Sequence, residues 1–326
     1  MSEMVSLYRK YRPKNFGEVV GQDFIIKTLE NQIKNGQTAH AYLFCGTRGT
    51  GKTSVAKIFA REINNGGGEL DIFELDAASN NSVNDVRELI DKVKFPPVSG
   101  TKKVYIIDEV HMFSTGAFNA FLKTLEEPPE HAIFILATTE AQKVPATIQS
   151  RCLRFDFRTV SLENLQKHLK GILEKEGAKF DDESLKLIAK QGQGSVRDML
   201  SFADMVLAYS KDITEKTVRE IIGSASIESL KKLLSAIKNA EFGEISNLCE
   251  KIFAEATNAV IVLRDFIDII KEELIKETDA AAREVLSTAL ENFITLEFEI
   301  KYSNSAGKLF EATAILSATK KKLKIY

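Results

Sequence analysis

Apolar and polar positions alternate differently on the two sides of about residue 159. Before it, short strand-like runs, several of them apolar throughout, are separated by stretches of helical period. The runs predict strands over 41–45, 70–75, 103–108, 132–138 and 153–157. The intervening stretches predict helices over 23–34, 52–63, 82–94, 114–126 and about 145–150. Strands without polar alternation are what a parallel sheet covered on both faces requires. Beyond Thr159 the strand signals stop. Helical patterns over 161–176, 181–191 and 195–210 predict a small all-helical domain. Five more follow, over 226–239, 242–256, 258–277, 280–301 and 306–319. The expected organisation is an α/β parallel-sheet domain over 1–159 and helical domains over 160–223 and 224–326.

Composition narrows this picture only a little. The chain has 326 residues, 44% hydrophobic and 28% charged, which is length enough for two or three cores. A net charge of −2 means that any nucleic-acid contact must come from a local basic patch. The first residues, MSEMVSLYRKYRP, contain no apolar signal-peptide core. The most apolar late stretch, Ala259 to Ile270, is interrupted by Arg264, Asp265 and Asp268 and is not expected to span a bilayer. A cytoplasmic location is expected. The three cysteines, Cys45, Cys152 and Cys249, are scattered and suggest neither a disulfide framework nor a metal site. The closing Lys320, Lys321, Lys322 and Lys324 read as a solvated tail.

The chemistry centres on Gly46 to Thr53, GTRGTGKT, between the strand 41–45 and the helix 52–63. This is the phosphate-loop pattern in its required strand–loop–helix context. Gly46, Thr47, Gly49, Thr50 and Gly51 let successive N–H groups face a polyphosphate, and Ser54 continues into the helix whose N-terminus favours anions. Lys52 is placed to reach the β- and γ-phosphates, and the Thr53 hydroxyl to ligate Mg²⁺. The third strand ends in Asp108-Glu109, where one carboxylate can hold the metal through water and the other can polarise an attacking water. His111 reads as packing or a relay. At the end of the fourth strand, Thr139 could sense the γ-phosphate. Arg151 could be an arginine finger for a neighbour's nucleotide. Gly194-Ser195 look like a helix start that puts Arg197 in the first turn, where a cation is mildly disfavoured and a phosphate contact would explain it. The segment Leu7 to Gln22 could wrap an adenine, with Val19 and Val20 on its face, or could simply strap a sheet edge.

Together these residues resemble the bacterial clamp-loader ATPases, the DNA polymerase III γ/τ subunits of the AAA+ class. The resemblance is carried by YRKYRP at 8–13, VVGQ at 19–22, HAYLFCGTRGTGKTS at 40–54 and ELDAASN at 74–80. It continues through PVSGTKKVYIIDEVHM at 97–112, FNAFLKTLEEPPEHAIFILATTE at 118–140, SRC at 150–152 and GSVRDML at 194–200. The last hundred residues match by position and helical character only. The resemblance implies an AAA+ P-loop domain, a helical lid and a helical collar that holds a ring. It implies ATP and Mg²⁺ as cofactors, with Thr53 and Asp108 at the metal and Glu109 as the base. It makes Thr139 sensor 1, Arg197 sensor 2 and Arg151 a finger acting in trans. Arg12, Pro13, Val19 and Val20 become the adenine pocket, and Asn80 and Arg87 face DNA. Implied partners are δ and δ′ subunits, further γ/τ copies, the sliding clamp and primer–template DNA bound without sequence preference; no membrane is involved.

Two departures from the family pattern stand out. Family members carry a four-cysteine zinc module between the phosphate-loop helix and the next strand. Here Asn65-Gly66-Gly67-Gly68-Glu69 takes its place, the flexible join one would design across an excised module, so zinc is not expected. The sequence also shows none of the extension by which τ binds polymerase and helicase. Two other readings compete with clamp loading. One is a different AAA+ machine, either a clamp loader of another lineage or a Holliday-junction motor; DEVHM with SRC argues against the motor. The other is a ring scaffold that binds nucleotide without turnover, against which the full Lys52, Thr53, Asp108 and Glu109 set argues.

Overall fold

The computed structural model describes residues 5–66, 68–303 and 305–320. The chain forms two compact units. The first comprises the described residues up to Lys179 with Ile188–Lys211, and the second Phe180–Leu187 with the described residues from Asp212 onward.

The first unit opens with a short helix α1 (Leu7–Lys10), followed by α2 (Asp23–Lys34). Strand β1 (Ala41–Cys45) then leads through the phosphate loop into α3 (Lys52–Ile63). The alternation continues with β2 (Ile72–Asp76), α4 (Val83–Val93), β3 (Lys103–Asp108) and α5 (Thr115–Glu126). It closes with β4 (Ala132–Thr138), α6 (Ala146–Gln149) and β5 (Leu153–Asp156). The five strands are parallel in the order β2-β3-β4-β1-β5. Side chains of β1 point alternately to two cores. Ala41, Leu43 and Cys45 meet Val86, Phe118, Phe121 and Ile148 from α4, α5 and α6. Tyr42 and Phe44 meet Ile25, Leu29, Val55 and Phe59 from α2 and α3. Burial on both sides is why β1, β3 and β4 carry no polar alternation, whereas the edge strands β2 and β5 are largely exposed and do.

Helix starts follow from short polar side chains. Ser82 and Asp85 form a reciprocal capping box on α4, and the Ser114 hydroxyl accepts the Ala117 N–H at the start of α5. Helices α7 (Leu162–Lys175), α8 (Asp182–Gln191) and α9 (Val196–Tyr209) come next, α8 lending residues to both units. The Ser195 hydroxyl caps α9 by accepting the Asp198 N–H at 3.1 Å.

The second strand begins two residues later than its apolar run suggests. Leu70 and Asp71 lie in a 3-10 turn, Leu70 exposed and Asp71 completely buried. The Asp71 carboxylate accepts N–H bonds from Val98, Ser99 and Gly100, each at 2.7 Å. Burial opposes its ionisation, but these N–H donors and the Ser99 hydroxyl outweigh it and hold the carboxyl at about 2. Asn64 grips the same loop from the end of α3, its Oδ1 accepting the N–H groups of Thr101 and Lys102 at 3.0 and 2.9 Å. Asn64 and Asp71, on either side of the glycine stretch, therefore both anchor the approach to β3. Gly67, within that stretch, lies outside the described residues.

The second unit contains α10 (Glu215–Ile222), not among the expected helices although Thr214 caps it and Gly223 ends it, and the helices α11 (Ile227–Lys238), α12 (Phe242–Glu255), α13 (Ala259–Lys276), α14 (Ala280–Ile300) and α15 (Ala306–Ala318). Two-residue strands at Lys179–Phe180 and Asp212–Ile213 interrupt the expected all-helical run. The five last helices share one core, centred on Phe266, Phe293 and Phe310 with ring centroids 4.9–5.5 Å apart. Helix α10 is bonded to them by a buried cation. Arg219 donates to Glu215 at 2.8 Å and to Asp265 on α13 at 3.0 Å, and Asp265 also accepts the Ser224 hydroxyl at 2.6 Å. At Gly223 the backbone is left-handed (φ +70°), and a Cβ there would meet the Thr257 hydroxyl at 2.1 Å. Lys320 pairs with Glu284; Lys321, Lys322 and Lys324 lie outside the described residues.

Two outcomes are expected. Asp71→Asn should lower unfolding free energy by about 2–3 kcal/mol at neutral pH. Because the folded-state pKa is depressed, that stabilisation is whole above the ordinary carboxylate value of about 4 and fades as pH falls towards about 2. Denaturant titrations of both proteins across this range should therefore converge at acid pH; a constant gap would show that charge is not its source. Asp265→Ala leaves a buried guanidinium short of a partner and should cost about 3 kcal/mol, read by chemical denaturation of the second unit.

Candidate functional site

The carboxyl ends of β1 and β3, with β4 between them, bring the phosphate loop and the acidic pair together, as parallel α/β sheets do for their ligands. A cavity of about 1070 Å³ lies there within the first unit. Gly49, Thr50, Gly51, Lys52, Thr53 and Ser54 line it from the loop, and Asp108 and Glu109 from the strand end. Arg12, Pro13, Val19 and Val20 line it from the N-terminal segment, and Arg197 from α9.

Gly51 caps α3 with a left-handed backbone (φ +102°), so the helix N-terminus opens toward the cavity. Lys52 is almost wholly buried, and its ammonium donates to the Gly46 and Thr47 carbonyls at 2.7 and 2.9 Å. Burial pushes the lysine below its ordinary value, against the opposing pull of Glu109 and Asp108. The Thr53 hydroxyl donates to the Asp108 carboxylate at 2.6 Å. Two hard oxygen donors thus lie side by side in the cavity lining, chemistry that fits Mg²⁺.

Glu109 occupies the left-handed region (φ +49°), an unusual conformation for a residue with a Cβ. Its carboxylate accepts the N–H and the hydroxyl of Thr139 at 3.2 and 3.0 Å. His111 is packed behind the pair, with Nδ1 3.0 Å from the Thr138 hydroxyl and Nε2 3.5 Å from Glu140. Thr139 is therefore joined to the site through Glu109, not through the cavity wall.

The remaining candidates are placed as follows. Arg151 is not at this cavity; its guanidinium donates to Glu126 at 2.7 Å and to the Thr147 carbonyl at 2.6 Å. Neither Arg87, exposed on α4, nor Asn80 lines the cavity, but the Asn80 amide donates at 3.0 Å to the carbonyl of Asp76, which does. Arg12 Nε donates to the Ser54 hydroxyl at 3.2 Å, tying the N-terminal segment to the start of α3.

Several lining residues escape the sequence reading, notably Tyr8, Tyr11, Arg48, Lys57 and His168. Tyr8 and Tyr11 lie in the aromatic–basic segment already suspected, so its composition was the available signal. His168 sits on an ordinary amphipathic helix and gave none; burial, with Lys175, holds its imidazole below the usual value. The lid helix also meets the loop itself. The Val196 N–H donates to the Gly49 carbonyl at 3.2 Å, and a Cβ at Gly49 would meet the Ser195 hydroxyl at 1.8 Å. Glycine at 49 serves that close approach as well as its own positive φ of +76°.

Burial pushes the thiols of Cys152 and Cys249 up to about 12 and raises that of Cys45. Among the described residues no helix is long and apolar enough to cross a membrane.

Comparison with known proteins adds to this geometry. A family model described as "DNA polymerase III, delta subunit" matches residues 21–71 and 67–161, its two pieces meeting at the glycine stretch. The clamp-loader ATPase lid domain matches 164–212, and domain III of the gamma and tau subunits matches 213–306. The chain is 39% identical to DNA polymerase III subunit tau of Bacillus subtilis over 98% of its own length and 60% of that protein's. It is 39% identical to subunit gamma of Buchnera aphidicola subsp. Schizaphis graminum over 80% of its own length and 78% of that protein's. It spans 46% of subunit tau of Escherichia coli, at 36% identity. Among solved structures, the Thermotoga maritima RuvB Holliday junction branch migration motor aligns with a TM-score of 0.55 at 20% identity, covering 70% of this chain and 79% of that one. That likeness shows an AAA+ fold and nothing of function. The chain belongs to the gamma/tau family of DNA polymerase III clamp-loader subunits.

Proposed function

We propose that this chain is the ATP-hydrolysing motor subunit of a bacterial clamp loader, driving a sliding clamp open and onto primed DNA. The observation that carries the reading is the convergence of the phosphate loop, Asp108, Glu109 and Arg197 within one unit. The rest of its organisation follows the same proposal. An AAA+ domain over 1–159 would be followed by a lid over 160–223 and a ring-forming collar over 224–326. Helix α10 is bonded to the helices after it, which favours placing the second join nearer 212. Partners would be δ, δ′, other γ/τ copies, the clamp and primer–template in the cytoplasm.

The N–H groups at the start of α3 and the Lys52 ammonium would cradle the phosphates, a phosphate oxygen being a stronger acceptor than the loop carbonyls that Lys52 now holds. Thr53 and Asp108 would hold Mg²⁺, which supplies positive charge between the phosphate oxygens. Glu109 would accept the proton of the attacking water, with Thr139 fixing its direction. Arg197 would touch the γ-phosphate from the lid. Arg12, Pro13, Val19 and Val20 would enclose the base. Arg151 would leave Glu126 to complete a neighbour's site, and Asn80 and Arg87 would face the duplex. In the lone subunit Glu109 is engaged by Thr139 and Arg151 by Glu126, a state suited to slow turnover. The glycine stretch at 66–68 would stand where relatives carry a zinc module, consistent with the family match breaking there.

Steady-state ATP hydrolysis tests the proposal. With δ, δ′, clamp and primed DNA the rate should rise well above that of the chain alone, and salt should suppress the DNA-dependent part. Arg151→Ala should abolish that stimulation, a loss on the order of 10³–10⁵ at the affected sites, while ATP binding persists. No stimulation in a complex shown to be assembled would leave the scaffold reading in its place. Glu109→Gln should cut kcat by about 10²–10⁴ with nucleotide affinity retained; unchanged kcat would remove Glu109 from the role of base.

A further inference from the structure

We infer that Tyr8 is a positioning residue for Arg197, and that helix α1 belongs mechanically to the lid. The inference rests on the reading of Arg197 as the group that meets the γ-phosphate. Both side chains line the same cavity, and the Arg197 guanidinium carbon lies 5.1 Å from the centre of the Tyr8 ring. That is the separation of a cation resting on an aromatic face.

Three contacts put Tyr8 there. The Leu7 N–H donates to the Asp204 carboxylate of α9 at 2.8 Å. The Tyr11 hydroxyl and the Lys10 ammonium both reach Glu176 just past α7, at 2.6 and 2.7 Å. Asp204 and Arg197 are seven residues apart on α9, two turns along one face. Leu7 is thereby bonded to one end of that face and Tyr8 is delivered to the other. Helix α1 is only one turn long, and its placement comes from these bonds and the buried Leu7. Arg12, next to it, is bonded to Ser54 at the head of α3. One short segment thus links lid helices α7 and α9 to the nucleotide loop.

The electrostatics explain why Arg197 needs a platform. It occupies the first turn of α9, where the helix dipole repels a cation. Arg9 lies over the same ring at 5.7 Å, adding a second positive group. The negative face of the tyrosine ring offsets part of this, and an anion between the guanidiniums would offset the rest. With Val196 bonded to Gly49, Arg197 is held beside the loop before any phosphate arrives. The ring acts on the direction of Arg197, so its effect should follow the presence of a γ-phosphate.

The test compares ATP and ADP affinities, by titration calorimetry on the whole chain, for wild type, Tyr8→Ala, Tyr8→Phe and Arg197→Ala. Tyr8→Ala should weaken ATP about 3- to 10-fold with ADP within about twofold, and Tyr8→Phe, which keeps the ring, should restore ATP binding. Arg197→Ala should abolish the preference for ATP over ADP. Loss of ATP preference in Arg197→Ala with none in Tyr8→Ala would overturn the role of Tyr8 and leave that of Arg197 standing. An unchanged preference in Arg197→Ala would overturn both. Equal weakening of both nucleotides in Tyr8→Ala, accompanied by a lower unfolding temperature, would make Tyr8 structural. Failure of Tyr8→Phe to recover ATP binding would overturn the cation–ring argument.

Discussion

One hydrogen bond, from the Thr53 hydroxyl to the Asp108 carboxylate, spans 55 residues and joins the two halves of the candidate site. It can form only because β1 and β3 run parallel with β4 between them. Cys45 pairs with Thr138 on one side of β4, and Ile107 with Leu136 on the other. These registers bring the loop after β1, the acidic pair after β3 and the threonines after β4 to one edge. A slip of one residue in either pairing would turn the side chains of a strand to the opposite core. Aromatic and branched residues packed on both faces, such as Tyr42, Phe44 and Phe134, make that slip costly. The geometry of the site is therefore a consequence of hydrophobic burial some residues away from it.

Several charged groups at this edge, and Arg151 apart from it, are held by nearer partners. Lys52 donates to its own loop, Glu109 accepts from Thr139, Arg151 rests on Glu126 and Arg197 on Tyr8. Under the proposed function, the Lys52 and Arg197 contacts are ones that a polyphosphate would replace with stronger ones. A phosphate oxygen competes well for an ammonium or a guanidinium because both donor and acceptor are then charged. The half-exposed pairs, such as Arg151 with Glu126, hold their geometry at little cost to release. The buried ones, Asp71 with its three N–H donors and Arg219 with Asp265, lie away from the site and stabilise the scaffold.

Much of this was legible along the chain because it is local. Strands 41–45, 103–108 and 132–138 and the helix from Lys52 to Ile63 were readable from unbroken apolar runs and from helical period, and the glycine-rich loop from its spacing. Ser195 as a helix start was readable because capping involves residues three apart. Where the reading slipped, a distant partner was responsible. Asp71 looks like part of a strand until residues 98–100 claim its carboxylate. Helix α10 differs: its Thr214 cap and closing Gly223 are local signals, passed over because the helix is only 8 residues long. Tyr8 beside Arg197, Leu7 beside Asp204 and Arg151 against Glu126 leave no periodic trace at all. Periodicity records which face of an element is buried, and motifs record groups that act within one turn or loop. Neither records which residue from another element will arrive there. That pairing depends on strand order, on register and on the approach of the lid helix to Gly49, so only the folded chain supplies it.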